Sequence, residues 1–349
     1  MEILPQVFFA GNFQCPDLLN SRGRICFIDF NLHLLKTNFQ THTGLSGTAV
    51  ILSNPKLMPV GHTMEHLNLL IHLLEDPDQE AFQQVSNEIL TLGLPAVEPL
   101  EEAWFNTNDQ LTRQRIEDIV HSIQYDGLYS ELAFWAASGS QDLLRGFIIA
   151  TRFQYPNLEE EKILAEMNKL TRSVWLELND NLTSLEKIKV LNHVLFGINE
   201  FGGEITDMHV PDHYFLNNLL LSRHGNAVSI GILYIIIAQK LMLPLKGVDL
   251  TGNFIGCFTH IPSDFGNDYK PLSEVKFYVN PFAKGAVFTK KEIMLYLEKA
   301  DIEPLPKCFQ PADNKTVIIR WCRDLMHAYL ENGMKEKARE LRTFLRILS

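Results

Sequence analysis

The sequence predicts an α+β protein that is predominantly helical and holds one small antiparallel sheet flanked by helical-repeat-like segments. Three observations carry this. Apolar residues recur at helical spacing from Met64 onward, as in Leu67, Leu70, Ile71 and Leu74. Short runs rich in β-branched and aromatic residues cluster between 244 and 282. The run Ile230 to Ala238 is apolar on every side, which marks a helix buried all round. With 349 residues and 46% hydrophobic side chains, the chain is long enough for two or three packed domains.

Residues 1–63 show no sustained helical or strand period; Ile25 to Phe30 is a short apolar run with no evident partner. This segment is expected to be either a loosely attached N-terminal arm or an extension upstream of a start at Met64. Residues 64–125 alternate helices and breaks. Leu74-Glu75-Asp76-Pro77-Asp78 ends one helix, and Pro77 or Asp78 can begin the next, whose face is Val85, Ile89 and Leu92. Gly93 stops it. A third helix spans Val97 to Trp104, and Ile116, Ile119, Val120 and Ile123 line a fourth. These pairs are similar to HEAT-type repeats.

Three amphipathic helices are expected over 140–200, broken at Tyr155-Pro156-Asn157 and at Asn179 to Thr183, with Gly202-Gly203 ending the third. Strands are expected at Leu245 to Leu250, Phe254 to Thr259 and Val275 to Val279, followed by a helix from Lys290 to Lys299. Pro304 and Pro306 mark a linker. A helical hairpin follows, carrying Trp321, Leu325 and Tyr329 before Asn332-Gly333, and Ala338, Leu341, Phe344 and Leu345 after it.

Composition excludes several functions. The formal net charge of -11 disfavours nonspecific nucleic-acid binding, which needs clustered Lys and Arg. The basic stretch Lys335 to Arg346 is interrupted by Glu336 and Glu340 and reads as a solvated helix face. Five cysteines (Cys15, Cys26, Cys257, Cys308 and Cys322) form no C-x-x-C pair, which suits a reducing cytosol. No secretory signal and no apolar run of bilayer-spanning length is seen, so a cytoplasmic protein with no membrane association is expected. There is no P-loop, dinucleotide fingerprint or H-E-x-x-H, and His62, His66 and His72 are too loosely arranged for a metal site. No cofactor and no metal are expected.

Several stretches carry a resemblance. They are "IIATRFQYPNLEEE", "LNHVLFGINEFGG", "YFLNNLLLSRHGNAVSIGILYIIIAQKLMLPLKGVDLTGNF" and "YVNPF" followed by Gly285. From about Leu143 to Leu297 the chain resembles the SirB-type branch of the transglutaminase-like superfamily. These are bacterial proteins with a papain-like core commonly followed by tetratricopeptide-like helices. "RWCRDLMHAYLENGMKEKARELRTFL" resembles half of such an array. The residue pattern and the resemblance together give an expected layout of 1–63 arm, 64–125 HEAT-like segment, 126–300 transglutaminase-like domain and 301–349 tetratricopeptide-like hairpin.

Active members of the superfamily use a Cys at the start of the central helix, a His on the following strand and an Asp on the next. The helix N-terminus favours thiolate, the His takes the proton, and the Asp orients the His. Counting back from Leu243-Pro244 aligns Ala227 with the Cys. Thr251-Gly252-Asn253-Phe254 aligns Asn253 with the His, and Asn280-Pro281-Phe282 aligns Asn280 with the Asp. Ala227 has no nucleophile, Asn253 does not titrate and Asn280 carries no charge. Four other residues bear on the chemistry. Ser229 is read as a hydroxyl that caps the helix start. Cys257 and His260 are three apart on a strand, hence on opposite faces, and read as a buried Cys and a loop His. His224 precedes the central helix and is read as contacting solvent or a carbonyl. The expectation is a non-catalytic interaction or regulatory protein with a protein partner. The competing class is a cysteine or serine hydrolase, or a transglutaminase, with relocated catalytic residues.

Overall fold

A computed structural model describes residues 60–203, 209–250, 254–259 and 275–349. The arm expected over residues 1–63 lies outside the described residues except for its last four. Helix α1 (Val60–Leu73) begins ahead of Met64, so a chain starting there would lack the first turn of α1.

Three further helices follow: α2 (Gln79–Leu92), α3 (Val97–Asn106) and α4 (Gln110–Ala137). Asp78 caps α2 by accepting the Glu80 N–H, and Asp109 caps α4 by accepting the Thr112 N–H. Their apolar faces close on a core of their own, including Leu70, Ile89, Leu100, Ile116 and Ile123. Arg115 on α4 is buried, lies over the Phe82 ring and donates to the carbonyls of Leu74 (2.8 Å) and Asp76 (2.6 Å). It thereby satisfies acceptors that the end of α1 leaves open. The boundary expected at 125/126 falls inside α4, which runs unbroken for 28 residues. Leu128, Leu132 and Trp135, in its second half, belong to a different and larger core.

Helices α5 (Leu143–Arg152), α6 (Glu160–Glu177) and α7 (Ser184–Asn192) fall in the expected region. Helical winding continues from α7 as a π-turn over His193–Ile198 and stops there. Gly202-Gly203 was expected to end this helix; it is instead a two-residue strand, β1, paired in parallel with β2 (His224–Gly225). The reason is steric. A side chain at Gly203 would overlap the Phe282 ring, so the chain passes this point as bare backbone.

Helix α8 (Leu216–Ser222) leads through β2 into α9 (Ala227–Lys240). Every residue of α9 from Val228 to Ala238 is buried, as its uniformly apolar sequence implies. The sheet is an antiparallel meander of β3 (Leu245–Val248), β4 (Ile255–Thr259), β5 (Val275–Asn280) and β6 (Ala286–Phe288). Its residues alternate by face. Phe254, Phe258 and Val279 join the core that contains α9, while Ile255, Cys257 and Tyr278 join Ile293 and Leu297 of α10 (Lys290–Lys299). The sheet was expected within 244–282, and β6 lies beyond that window. Three residues are too few to display a strand period.

Helices α11 (Asn314–Glu331) and α12 (Lys335–Leu348) form the expected hairpin. Trp321, Leu325, Tyr329, Leu341 and Phe344 are in the same core as Phe147 and α9. The C-terminal hairpin thus shares the central core. Among the described residues no helix is long and apolar enough to cross a membrane.

Candidate functional site

The start of α9 is built by three residues. Arg223 ends α8 in the left-handed region, with φ 64°, and turns the chain into β2. Its guanidinium lies over the Phe201 ring and pairs with Glu166 of α6. Asn226 is extended, and its Oδ1 accepts the N–H groups of Val228 (3.0 Å) and Ser229 (2.8 Å), capping the helix. Ala227 is then the first helical residue. It is partly exposed, whereas Gly225, Asn226, Val228, Ser229 and Ile230 are all buried.

Ser229 is fully buried and donates its hydroxyl to the His213 carbonyl at 2.7 Å, with the Asn226 carbonyl also in reach at 3.2 Å. A side chain at Gly225 would overlap that hydroxyl, so the site is closely packed. Cys257 is also fully buried, on the α10 side of the sheet, and burial pushes its thiol up to about 12. Such a thiol stays protonated near neutral pH and is a poor nucleophile. His224 is exposed, with Nδ1 2.9 Å from the Ser222 carbonyl. Asn253 and His260 lie outside the described residues.

Asn280 ends β5 and is 4% exposed. Its Oδ1 accepts the Ala283 N–H at 3.3 Å, and its carbonyl accepts the Gly285 N–H at 2.9 Å. The side chain thus closes a turn, a role open to Asn and Asp alike. Two contacts tie this turn to α9. Asn192 donates from Nδ2 to the Gly285 carbonyl (2.9 Å) and accepts the Tyr234 hydroxyl on Oδ1 (2.6 Å). Phe282 rests on Gly203, whose strand partner Gly225 stands two residues before Ala227. Phe254, which follows Asn253, packs on Gly231, one turn along α9 from Ala227. These contacts link the Asn280 turn and Phe254 to α9 and the strand before it.

The sequence reading missed Asn192. Its only signal is a polar residue at the end of an amphipathic helix, where solvent exposure is the usual reading. It also missed the pairing of Glu166 with Arg223, which no local pattern announces.

Glu166 has a testable pH signature. Its hydrogen bond from Arg223, despite some burial, holds its carboxyl below the usual range. Its stabilising contribution is full above the unfolded value of about 4.3 and is lost as pH falls through the folded value. Glu166→Gln should therefore cost on the order of 1 kcal/mol near neutral pH. It should also flatten the acid limb of the stability–pH curve. Denaturant melts between pH 3 and 7 check this; an unchanged acid limb would contradict it.

Residues 161–323 match the transglutaminase-like superfamily. A UPF0162 protein of Xylella fastidiosa is 23% identical over 205 residues, which cover 56% of this chain and 68% of that protein. Protein SirB1 of Salmonella typhimurium is 25% identical over 203 residues, covering 57% and 69%. A UPF0162 protein of Buchnera aphidicola is 28% identical over 155 residues, covering 44% and 53%. No solved structure matches the chain.

Proposed function

Since residues 161–323 belong to the transglutaminase-like superfamily, in its SirB-type branch, we propose that the chain is a non-catalytic interaction or regulatory protein built on that fold. The observation that carries this reading is Ala227. It is the partly exposed residue in an otherwise buried helix start, the position where a thiolate would gain most from the helix N-terminus, and it bears only a methyl group. Ser229 supports the same reading, because its hydroxyl is committed to a backbone carbonyl. Cys257 supports it as well, being sealed on the far face of the sheet.

The partner of this protein is proposed to be another protein. The four N-terminal helices support that idea by presenting apolar side chains to solvent, including Leu69, Leu73 and Phe105. The test is turnover. The purified chain should neither hydrolyse peptide amides nor incorporate a labelled amine into a glutamine-containing protein. Turnover that disappears in Ser229→Ala or Cys257→Ala would overturn the reading and favour a relocated nucleophile.

A further inference from the structure

Among the described residues, one group of metal-ligating side chains lies away from the start of α9: His209, His327 and Glu331. His327 and Glu331 are four apart on α11 and so share a face. His209 comes from the segment that leads into a short 3-10 helix at Pro211–Tyr214. The Glu331 carboxylate stands between the two rings, with His209 Nδ1 at 3.0 Å from one oxygen and His327 Nδ1 at 3.2 Å from the other. All three ligand atoms lie within 4.8 Å of one another.

We propose that His209, His327 and Glu331 bind a divalent transition metal ion, Zn2+ being the ion the donors fit best. Bonds of about 2.0–2.2 Å in a tetrahedral site put neighbouring ligand atoms roughly 3.3 Å apart. Each ring nitrogen already stands at about that distance from a Glu331 oxygen, though from a different one, so the carboxylate has to turn to bring a single oxygen to both. The ligand atoms, now within 4.8 Å of one another, also have to draw closer, and all three side chains are exposed at the surface. Two imidazoles with one carboxylate select Zn2+ over Mg2+ or Ca2+, which take oxygen ligands. Two further features favour a cation. Glu331 is the last residue of α11, where unsatisfied carbonyls concentrate negative potential. Asn332 donates from Nδ2 to the carbonyls of His209 (2.9 Å) and Ala328 (2.8 Å), holding the backbone of His209 against the hairpin before any ion arrives. The ion would staple the segment before Pro211 to the α11–α12 turn and leave one position open to water.

The experiment is calorimetric titration of the untagged full chain with zinc chloride in metal-free buffer. Cys15→Ser and Cys26→Ser are included so that no thiol outside the described residues competes. One ion should bind per chain. His327→Ala, His209→Ala and Glu331→Gln should each weaken binding by at least about tenfold. Because the three side chains are exposed, these variants should melt like the parent without zinc. Mg2+ should give no binding. Absence of zinc uptake by the parent, or uptake unchanged in all three variants, would overturn the proposal.

Discussion

Replacing Trp321 with Ala is expected to destabilise the chain by about 3–5 kcal/mol, the usual cost of removing a buried indole. Trp321 is fully buried on α11 and meets Phe147 and Phe215 edge-on, at ring centroid distances of 6.3 and 5.8 Å. Its indole N–H donates to the Tyr214 carbonyl at 2.8 Å. It therefore joins the C-terminal hairpin, α5 and the turn before α8. Trp321→Phe keeps most of the packing but leaves that carbonyl without its donor, which should cost less, about 1–3 kcal/mol. Denaturant melts followed by circular dichroism would measure both. Because the hairpin shares the central core, the loss should appear as a shift of the main transition. A separate early transition confined to the hairpin would contradict this.

Arg320→Met is expected to be the second costly change, at about 3–5 kcal/mol near neutral pH. Arg320 is largely buried and bonds Asp249 (2.8 Å), Asp324 (2.9 Å) and the Leu250 carbonyl (3.0 Å), with Lys307 also on Asp249 at 3.2 Å. It anchors to α11 the end of the segment that runs on toward Asn253. Burial pushes Asp249 upward, but its hydrogen bonds to Arg320 and Lys307 outweigh this and hold it below the usual range. Its contribution is thus full above the unfolded value of about 3.9 and is lost as pH falls through the folded value. Asp324 goes the other way: burial raises it and Arg320 offsets only part. It costs stability as pH rises above its unfolded value. Without Arg320 both carboxylates are left in a poorly solvated site and relieve the strain by protonating. The deficit of Arg320→Met relative to the parent should therefore shrink toward pH 4. A deficit independent of pH would show that lost packing, and not stranded charge, sets the cost.

What the sequence disclosed follows from the length of each signal. Helix α9 was legible because eleven consecutive buried residues leave no polar face. β3, β4 and β5 were legible because four to six residues suffice to show β-branched enrichment. β1, β2 and β6 were not, since strands of two or three residues display no period and are defined by their partners. The continuity of α4 was hidden as well. Its residues switch from one core to another near Tyr125-Asp126-Gly127, so the apolar face changes partner midway. At the candidate site, Ala227, Asn253 and Asn280 came from the resemblance, because an absent nucleophile has no composition of its own. The interactions near the start of α9 and the Asn280 turn, Asn192 with Tyr234 and Arg223 with Glu166, join residues 42 and 57 apart, which no local pattern reveals.

The proposed function requires that Ala227, Asn253 and Asn280 converge as a catalytic triad would, with no reactive group among them. The most direct measurement is the pH dependence of alkylation at residue 227, in a background carrying Cys15→Ser and Cys26→Ser. Ala227→Cys alone is compared with the combination of Ala227→Cys, Asn253→His and Asn280→Asp. If the three positions converge, the combined variant should show a thiol apparent pKa at least about one unit below that of the single variant, because an imidazolium stabilises thiolate. Identical profiles for the two would mean that residue 253 does not reach residue 227, and would contradict the account.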